Sequence, residues 1–543
     1  MKRIIFGIAI LGVLNSCTQV AGWLGTNSDS TNKHADSASY AAYARDESIT
    51  TANAYSDLFL DSNAVESFIQ QRKLDDSSAN TMRNFYRVRN YQYAWFSSTG
   101  PTEQARGLWS LQASRTDSAA TDSVGKLRDR MDTLLQRDSI TVNNNDSSFV
   151  QTELALTQQL IQYAGKNPEH INRHTIYHLV PAKKMDAMEY ADSILNRQKD
   201  SVMYAGNKHY TSLKQQLANY YSIAKNGGWG TISTAQLKKG TKSPAVTALK
   251  KRLQQTKDYN NTDTTNVFSD SLEIAVKSFQ QRHGFTPNGI VNDSLINILN
   301  VPVEHRIQQI IVNMNRSLWM PQTTDSSRIE VSIPSQMLYA YADSGKAFEM
   351  PVIVGKEGSG TVMFSSQIDQ IVFNPIWNIP ESIVRDEIMP KVKADANYLK
   401  KNNIEVVKKN DSLPVLRQLP GKDNPLGKVK FLFPNTHEIY LHDTPDKTHF
   451  AKKDRTLSHG CIRVANAAKL VQYLLRDQSD WTAQKIQTAM NSGKEQRVSL
   501  KTKQPVNITY LTAWVDANGY MNFTPDVYSH DKDAIAKMFE SKS

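Results

Sequence analysis

Cysteine is scarce in this chain of 543 residues, which contains two, Cys17 and Cys461. So low a count excludes a disulfide-built fold, and the interior has to be held by apolar packing instead. An acidic excess is also missing: Lys and Arg number 64 against 53 Asp and Glu, a formal charge of +11. The balance points to an acidic polymer or a membrane surface as counterpart, or to solubility and nothing more. A membrane-spanning apolar run is absent too, because the N-terminal one, Ile4 to Leu14, is too short to cross a hydrocarbon core of about 30 Å as a helix. What is present is ordinary globular composition, 39% hydrophobic and 22% charged, at a length that calls for about two to four domains.

The opening "MKRIIFGIAILGVLNSC" has Lys2 and Arg3 before the apolar run and reaches Cys17 through Asn15 and Ser16. It reads as a secretory signal peptide over residues 1–16. A small residue directly before a cysteine resembles a bacterial lipoprotein processing site, which makes Cys17 the lipidated mature N-terminus; an ordinary signal peptide with cleavage nearby is the alternative. The expected location is therefore the periplasm, with a lipid anchor in the cell envelope at the outer membrane, where nucleic acid is excluded as a partner. With Cys17 lipidated, Cys461 has no disulfide partner, and a lone thiol in an oxidising compartment is either buried and inert or chemically employed.

Residues 17–45 are polar, small and aperiodic, as a flexible tether is. Residues 46–235 read as a helical domain: "DSNAVESFIQQRKL", with Asp61 or Ser62 as N-cap, "TELALTQQLIQYAGK" and "SLKQQLANYYSIAKNGG" carry apolar residues at helical spacing, the last closing on a glycine pair. Residues 237–303 alternate short helices with glycine turns. Leu237, Gly240, Val246, Leu249, Ala275, Val276, Phe279, Gln280, Gly284, Phe285, Gly289 and Val291 resemble the small three-helix peptidoglycan-binding domain, with Lys250 where that family more often has Gln. Most of these are core and turn positions, so they speak for the fold more than for glycan binding.

Residues 304–543 turn to short strands rich in β-branched and aromatic residues, "IEVSIP", "QMLYAYA", "EMPVIVG", "QIVFNPIW", "KVKFLFP" and "HEIYLHD". They predict a mostly antiparallel β domain, interrupted at 382–425 by a Lys-rich helical insertion that is either a lid or a surface excursion. The fold class expected of the whole is multidomain α+β: a helical scaffold domain, a three-helix domain and a β domain with a helical insertion.

In "TLSHGCIRVANAAKLV" Cys461 stands next to a histidine and a glycine, and "VANAAKLVQYLL" has the period of an amphipathic helix, which puts the thiol just ahead of a first helical turn. A thiol becomes a nucleophile when ionised, and Gly460 permits a tight backbone whose N–H groups converge as an oxyanion hole. The base has to come from elsewhere. His442, 19 residues upstream, is the candidate, because alternation along "HEIYLHD" sets Tyr440 and His442 on one strand face and His437 on the other. No Asp or Asn is obviously placed to orient the imidazole, so that task falls to a backbone carbonyl. Tyr440 is either a donor near the reacting carbonyl or packing.

"YLHDTP" followed by "SHGCIRV", with "NPIWNIPESI" and the C-terminal "YLTAWVDANGYMNFTPDVY", resembles the L,D-transpeptidases with a YkuD-type catalytic domain, in the large envelope-attached subgroup that adds a peptidoglycan-binding domain and a helical scaffold. The resemblance implies that Cys461 is the acylated nucleophile and His442 its base. It implies further that His459 and Gly460 shape the oxyanion site, and that Ser458, Tyr440 and Arg463 contact substrate, Arg463 by holding the loop or a substrate carboxylate. The substrate implied is peptidoglycan, a tetrapeptide stem as donor and another stem's amine as acceptor, and carbapenem-type inhibitors are expected to acylate the thiol. Asp443 departs from the smaller relatives, which have Gly after the histidine.

Other readings of these residues are an inert buried thiol, a zinc site drawn from His437, His442, His449, His459 and Cys461, and a plain ion pair for Arg463. Trp377, a candidate substrate contact, and Trp319 read equally as core anchors. No two of these histidines have the H-x-x-x-H spacing and no C-x-x-C is present, so no metal is expected, and no cofactor. Sortases place their arginine well downstream of the cysteine, and papain-like proteases place the cysteine before the histidine. The functions left open are a transpeptidase forming 3→3 cross-links, an L,D-carboxypeptidase trimming tetrapeptides, and an inactive wall-binding lipoprotein.

Overall fold

The computed structural model describes residues 43–111, 122–135, 140–144, 146–171, 176–197, 204, 206–233, 236–320, 327–408 and 413–540. The signal segment, Cys17 and all of the tether before residue 43 lie outside them. No helix among the described residues is long and apolar enough to cross a membrane.

The N-terminal half is helical. Asp61 is the N-cap of Ser62–Arg72 and accepts from Asn63 N–H, and Lys208–Lys225 stops ahead of Gly227 and Gly228, both at positive φ. The core of this region also draws on chain far from residues 46–235. Helix α1 (Val303–Leu318) buries Ile307, Ile310, Ile311 and Met314 in it, Trp319 meets Trp95 edge-on at 6.1 Å, and Ala513, Phe523, Met538 and Phe539 from the C-terminus complete it. The physical reason lies in the bridge sequence: Ile307, Ile310, Ile311 and Met314 recur at the spacing of one helix face, and that face needs a partner. Helix α2 (His530–Met538) is fixed by charge as well. Arg316 on α1 bonds to Glu103 from the helix Glu103–Ser110 and to Asp531 of α2, all three buried.

Residues 237–299 form a separate small core from Leu237, Val246, Leu249, Ala275, Val276, Phe279 and Val291. Lys250 is buried there, its Nζ 2.6 Å from Asp263 and 2.9 Å from the Thr265 carbonyl, so the charge is paired.

The C-terminal half is built on nine strands: β1 (Arg328–Ser332), β2 (Met337–Ala342), β3 (Gly345–Gly355), β4 (Phe364–Phe373), β5 (Val429–Leu432), β6 (Leu441–His442), β7 (Thr456–Ser458), β8 (Ile462–Val464) and β9 (Gln496–Thr509). Their order is β7-β3-β8-β6-β5-β4-β9-β1-β2, and β3 pairs also with β2, so the sheet closes on itself. Most pairings are antiparallel; β6 with β8, β7 with β3 and β9 with β1 are parallel.

The insertion differs from the helical excursion expected at 382–425. Its first half is helical, including a π-helical turn at Val384–Ile388, but Ile404–Lys408 and Val415–Gln418 are strands that join Trp377–Asn378 in a three-stranded sheet. Val406, Val407 and Val415 favour the extended backbone over the Lys-rich composition read as helix. Ile379, Val384, Ile388, Ile404 and Leu416 give the insertion its own core.

Candidate active site

Period-two alternation on two neighbouring strands assembles the site. On β6 and β8, Leu441 and Ile462 pair laterally and are both fully buried, so they point into the core. His442 pairs with Arg463, and Ile462 N–H donates to the Tyr440 carbonyl, which continues the register to Cys461 beside Tyr440. Four side chains therefore share the opposite face, Tyr440 and His442 on one strand and Cys461 and Arg463 on the next. Cys461 and His442 are diagonal neighbours, a relation that separates Cα atoms by roughly 7–8 Å and lets long side chains meet.

The imidazole is oriented by the backbone. His442 Nδ1–H donates to the Asp443 carbonyl at 2.5 Å, which leaves Nε2 with the free lone pair a base requires. The Asp443 carboxylate, the departure noted in the sequence, accepts from Lys428 N–H at 2.9 Å and pairs with Lys447 at 2.6 Å. Gly427 at φ +62° approaches it so closely that a Cβ there would overlap the carboxylate. Burial, with the Arg463 guanidinium next, pushes the His442 imidazole down to about 3, so it is neutral at physiological pH. Burial raises the Cys461 thiol above its ordinary range, opposed by hydrogen bonds from Tyr440; Sγ lies 3.7 Å from the Glu438 carbonyl. The pair rests as thiol and neutral imidazole.

The expectation that Cys461 precedes a helix is corrected. Strand β8 follows it, and helix α3 (Ala467–Leu474) begins after Asn466, whose side chain caps it. Ile462 and Val464 fill the core from a strand, so no helix terminus reaches the thiol. The loop before it is held by hydrogen bonds instead. Gly460 takes φ +110°, open to glycine; its N–H donates to Ser458 Oγ at 3.2 Å, and Ser458 Oγ–H donates to the Cys461 carbonyl at 2.6 Å. Ser458, expected to touch substrate, thus has its hydroxyl engaged within the loop. The buried Thr361 hydroxyl donates to the Gly460 carbonyl at 2.8 Å and accepts from Gly355 N–H at 2.9 Å. In a trans peptide the carbonyl and the following N–H point oppositely, so Thr361 turns the Cys461 N–H away from itself; among the described residues that N–H has no partner. An unpartnered N–H at Cys461 is a donor of the kind an oxyanion requires. His459, half-exposed, turns its ring to Glu387 of the insertion's π-helical turn at 3.2 Å.

The other expected residues lie as follows. Trp377 packs against the insertion's own core and pairs with Gln418 in its sheet. His437 is buried against Asp132 of the helix Asp122–Leu135 at 3.4 Å, and His449 pairs with Asp446. Among the described residues no three His, Cys, Asp or Glu converge on one point. The Arg463 guanidinium makes no side-chain hydrogen bond or ion pair among the described residues, its Nε is buried without a partner, and the Asp446 carboxylate acts on it through space. Sequence reasoning missed Thr361 and Lys430. Lys430 pairs laterally with His442 from β5, between the buried Val429 and Phe431, and its Nζ lies 5.4 Å from the Tyr440 ring. The lysine alternating with apolar residues in "KVKFLFP" was the available signal.

Comparison with known proteins assigns the three regions to families. Residues 326–508 match the YkuD family, described as the L,D-transpeptidase catalytic domain, residues 80–217 a scaffold domain and residues 242–299 a peptidoglycan binding domain. The chain therefore carries an L,D-transpeptidase catalytic domain joined to a scaffold domain and a peptidoglycan-binding domain. It is 32% identical over 241 residues to a Haemophilus influenzae protein named "Putative L,D-transpeptidase", a match covering 41% of this chain and 48% of that relative, about half its length. Among solved structures, an L,D-transpeptidase from Stackebrandtia nassauensis is 15% identical with a TM-score of 0.22, over 52% of this chain and 97% of that one. A mutant of the Enterococcus faecium L,D-transpeptidase is 12% identical with a TM-score of 0.17, over 55% and 100%. Likenesses that slight do not bear on the site.

Proposed function

We propose that the protein forms 3→3 peptidoglycan cross-links through a thioester on Cys461. Nε2 of His442 takes the thiol proton as sulfur attacks the carbonyl joining diaminopimelate to the terminal D-Ala of a tetrapeptide stem. The tetrahedral oxyanion is met by the Cys461 N–H and the Tyr440 hydroxyl, and the same proton passes to the departing amine, releasing D-Ala. The side-chain amine of a second stem then attacks the thioester, gives its proton to Nε2 and restores the thiol. The observation that carries this reading is the shared face of Cys461, Tyr440 and His442, with Nδ1 of the imidazole tied to the Asp443 carbonyl.

The reading extends to the envelope: an exported chain, lipidated on Cys17 and held at the outer membrane, its thiol open to carbapenems. Metabolic labelling with a fatty acid, lost on Cys17→Ala, tests the anchor. The reaction is tested with full-length protein in detergent, as found and as Cys461→Ala, incubated with disaccharide-tetrapeptide and followed by mass spectrometry. D-Ala release with a cross-linked dimer, absent in the variant, is expected. Tripeptide without dimer would make the enzyme a carboxypeptidase, and unchanged substrate in both samples would leave a wall-binding lipoprotein.

A further inference from the structure

We propose that Tyr528 is a positioning residue for the nucleophile loop: its phenol staples the turn that carries Thr361, so that acyl transfer at Cys461 depends on the C-terminal segment being docked on the helical body. The proposal rests on the acyl-transfer reading above and adds what holds its oxyanion donor in place.

The turn is residues 355–361, "GKEGSGT", between β3 and β4, with three glycines among seven residues. Glycine loses more backbone freedom on ordering than any other residue, so this turn has little stiffness of its own. Yet it ends in the buried Thr361, whose hydroxyl sets the Gly460 carbonyl and with it the direction of the Cys461 N–H. Two hydroxyls close the turn across its mouth. Thr361 Oγ accepts from Gly355 N–H at 2.9 Å, and Tyr528 Oη sits between the other two groups, accepting from Thr361 N–H at 3.2 Å and donating to the Gly355 carbonyl at 2.6 Å. Burial pushes the Tyr528 phenol up to about 12, so it keeps the proton it donates. The turn is also shaped to the ring: a Cβ on Gly360 would stand 3.3 Å from Tyr528 Cε2, and one on Gly355 would overlap the Ser359 carbonyl and the Thr361 nitrogen.

Tyr528 takes its own position from the far side. Its N–H donates to Tyr510 Oη at 2.8 Å, the two rings stack at 5.6 Å, and Tyr510 Oη–H donates to Asp526 at 2.7 Å. The second oxygen of Asp526 accepts from Asp531 N–H at 2.9 Å in the first turn of α2, and Asp531 is the residue paired with the buried Arg316. Residues 526–531 therefore join the cluster that seals the helical body to the turn behind the thiol. Strands β6 and β8 fix the thiol and the imidazole; the N–H is aimed by a residue outside the sheet.

The test compares the full-length protein with Tyr528→Phe, which keeps the ring and removes the hydroxyl. Release of D-Ala from disaccharide-tetrapeptide is expected to show kcat lowered about tenfold with KM within about twofold. Alkylation of Cys461 by iodoacetamide, a displacement at saturated carbon that forms no oxyanion, is expected to stay within about twofold. Adding Tyr528→Phe to Thr361→Val should lower kcat by less than about threefold further, because both act through the Gly460 carbonyl. Should Tyr528→Phe fail to fold, Gly360→Ala, which crowds the same ring, is expected to give the same split between kcat and alkylation. An unchanged kcat, a loss confined to KM, alkylation falling in step with kcat, or multiplying effects in the double variant overturn the proposal. Unaltered protein that releases no D-Ala refutes the acyl-transfer reading. The staple is then read with p-nitrophenyl acetate, which forms a Cys461 thioester with loss of p-nitrophenolate: acetylation about tenfold slower in Tyr528→Phe supports it, and equal rates or no acetylation overturn it.

Discussion

His442 lies between Arg463 and Lys430 on a face shared with the thiol, and both burial and Arg463 drive its imidazole toward the neutral form. On the reaction proposed above, a thiol that burial keeps protonated beside it would react by general-base catalysis, not as a preformed thiolate–imidazolium pair. Alkylation by iodoacetamide, which consumes thiolate, is therefore expected to accelerate about tenfold per pH unit from about pH 6 to 9. A rate plateau below pH 6 would contradict it. The same imidazole makes folding acid-sensitive. Its folded-state value lies below the unfolded one of about 6.5, so the unfolded chain binds more protons between about 3 and 6.5 and stability falls as pH drops through that window. Thermal melts of the protein and of His442→Gln from pH 7 to 5 should differ by this slope, the variant losing less stability; the other lowered imidazoles, His283 and His530 among them, act in both proteins, and buried Glu153, pushed up to about 7, works against them.

Among the elements, the turn between β3 and β4 and the loop before β8 are joined by one hydroxyl, Thr361 to the Gly460 carbonyl, with Tyr528 behind it accepting from Thr361 N–H and donating to the Gly355 carbonyl. Thr361→Val is expected to lower kcat about tenfold with little change in KM and to cost about 1–2 kcal/mol of stability, while Thr361→Ser keeps most of both. Steady-state kinetics with chemical denaturation checks it, and a change confined to KM would count against the orienting role. This contact was not legible in the sequence, because a threonine in a polar turn 99 residues before its partner carries no local signal. The strand alternation of "HEIYLHD" was legible, since Leu441 faces the core and needs no distant information. Cys461 was misplaced relative to a helix because the periodic run after it, "VANAAKLVQYLL", begins only two residues beyond Ile462, too close for a short strand to be told apart.

Across the whole molecule, the buried cluster of Arg316, Glu103 and Asp531 ties a helix from near residue 100, the bridge helix α1 and the C-terminal helix α2. Arg316→Leu leaves two buried carboxylates without their cation and is expected to destabilise the protein by about 3–5 kcal/mol, seen as a lowered melting temperature. Little change would mean that the carboxylates take up protons at no cost. Gly107→Ala, whose methyl would run into the Trp319 ring, should act in the same direction. The core that contains these contacts includes Ala513, Met538 and Phe539, which follow strand β9 in the chain. The helical body therefore cannot close until these residues have been made, and a product truncated after strand β9 would retain the sheet with Cys461 but expose the apolar face of α1, a difference that proteases acting on unfinished chains can read.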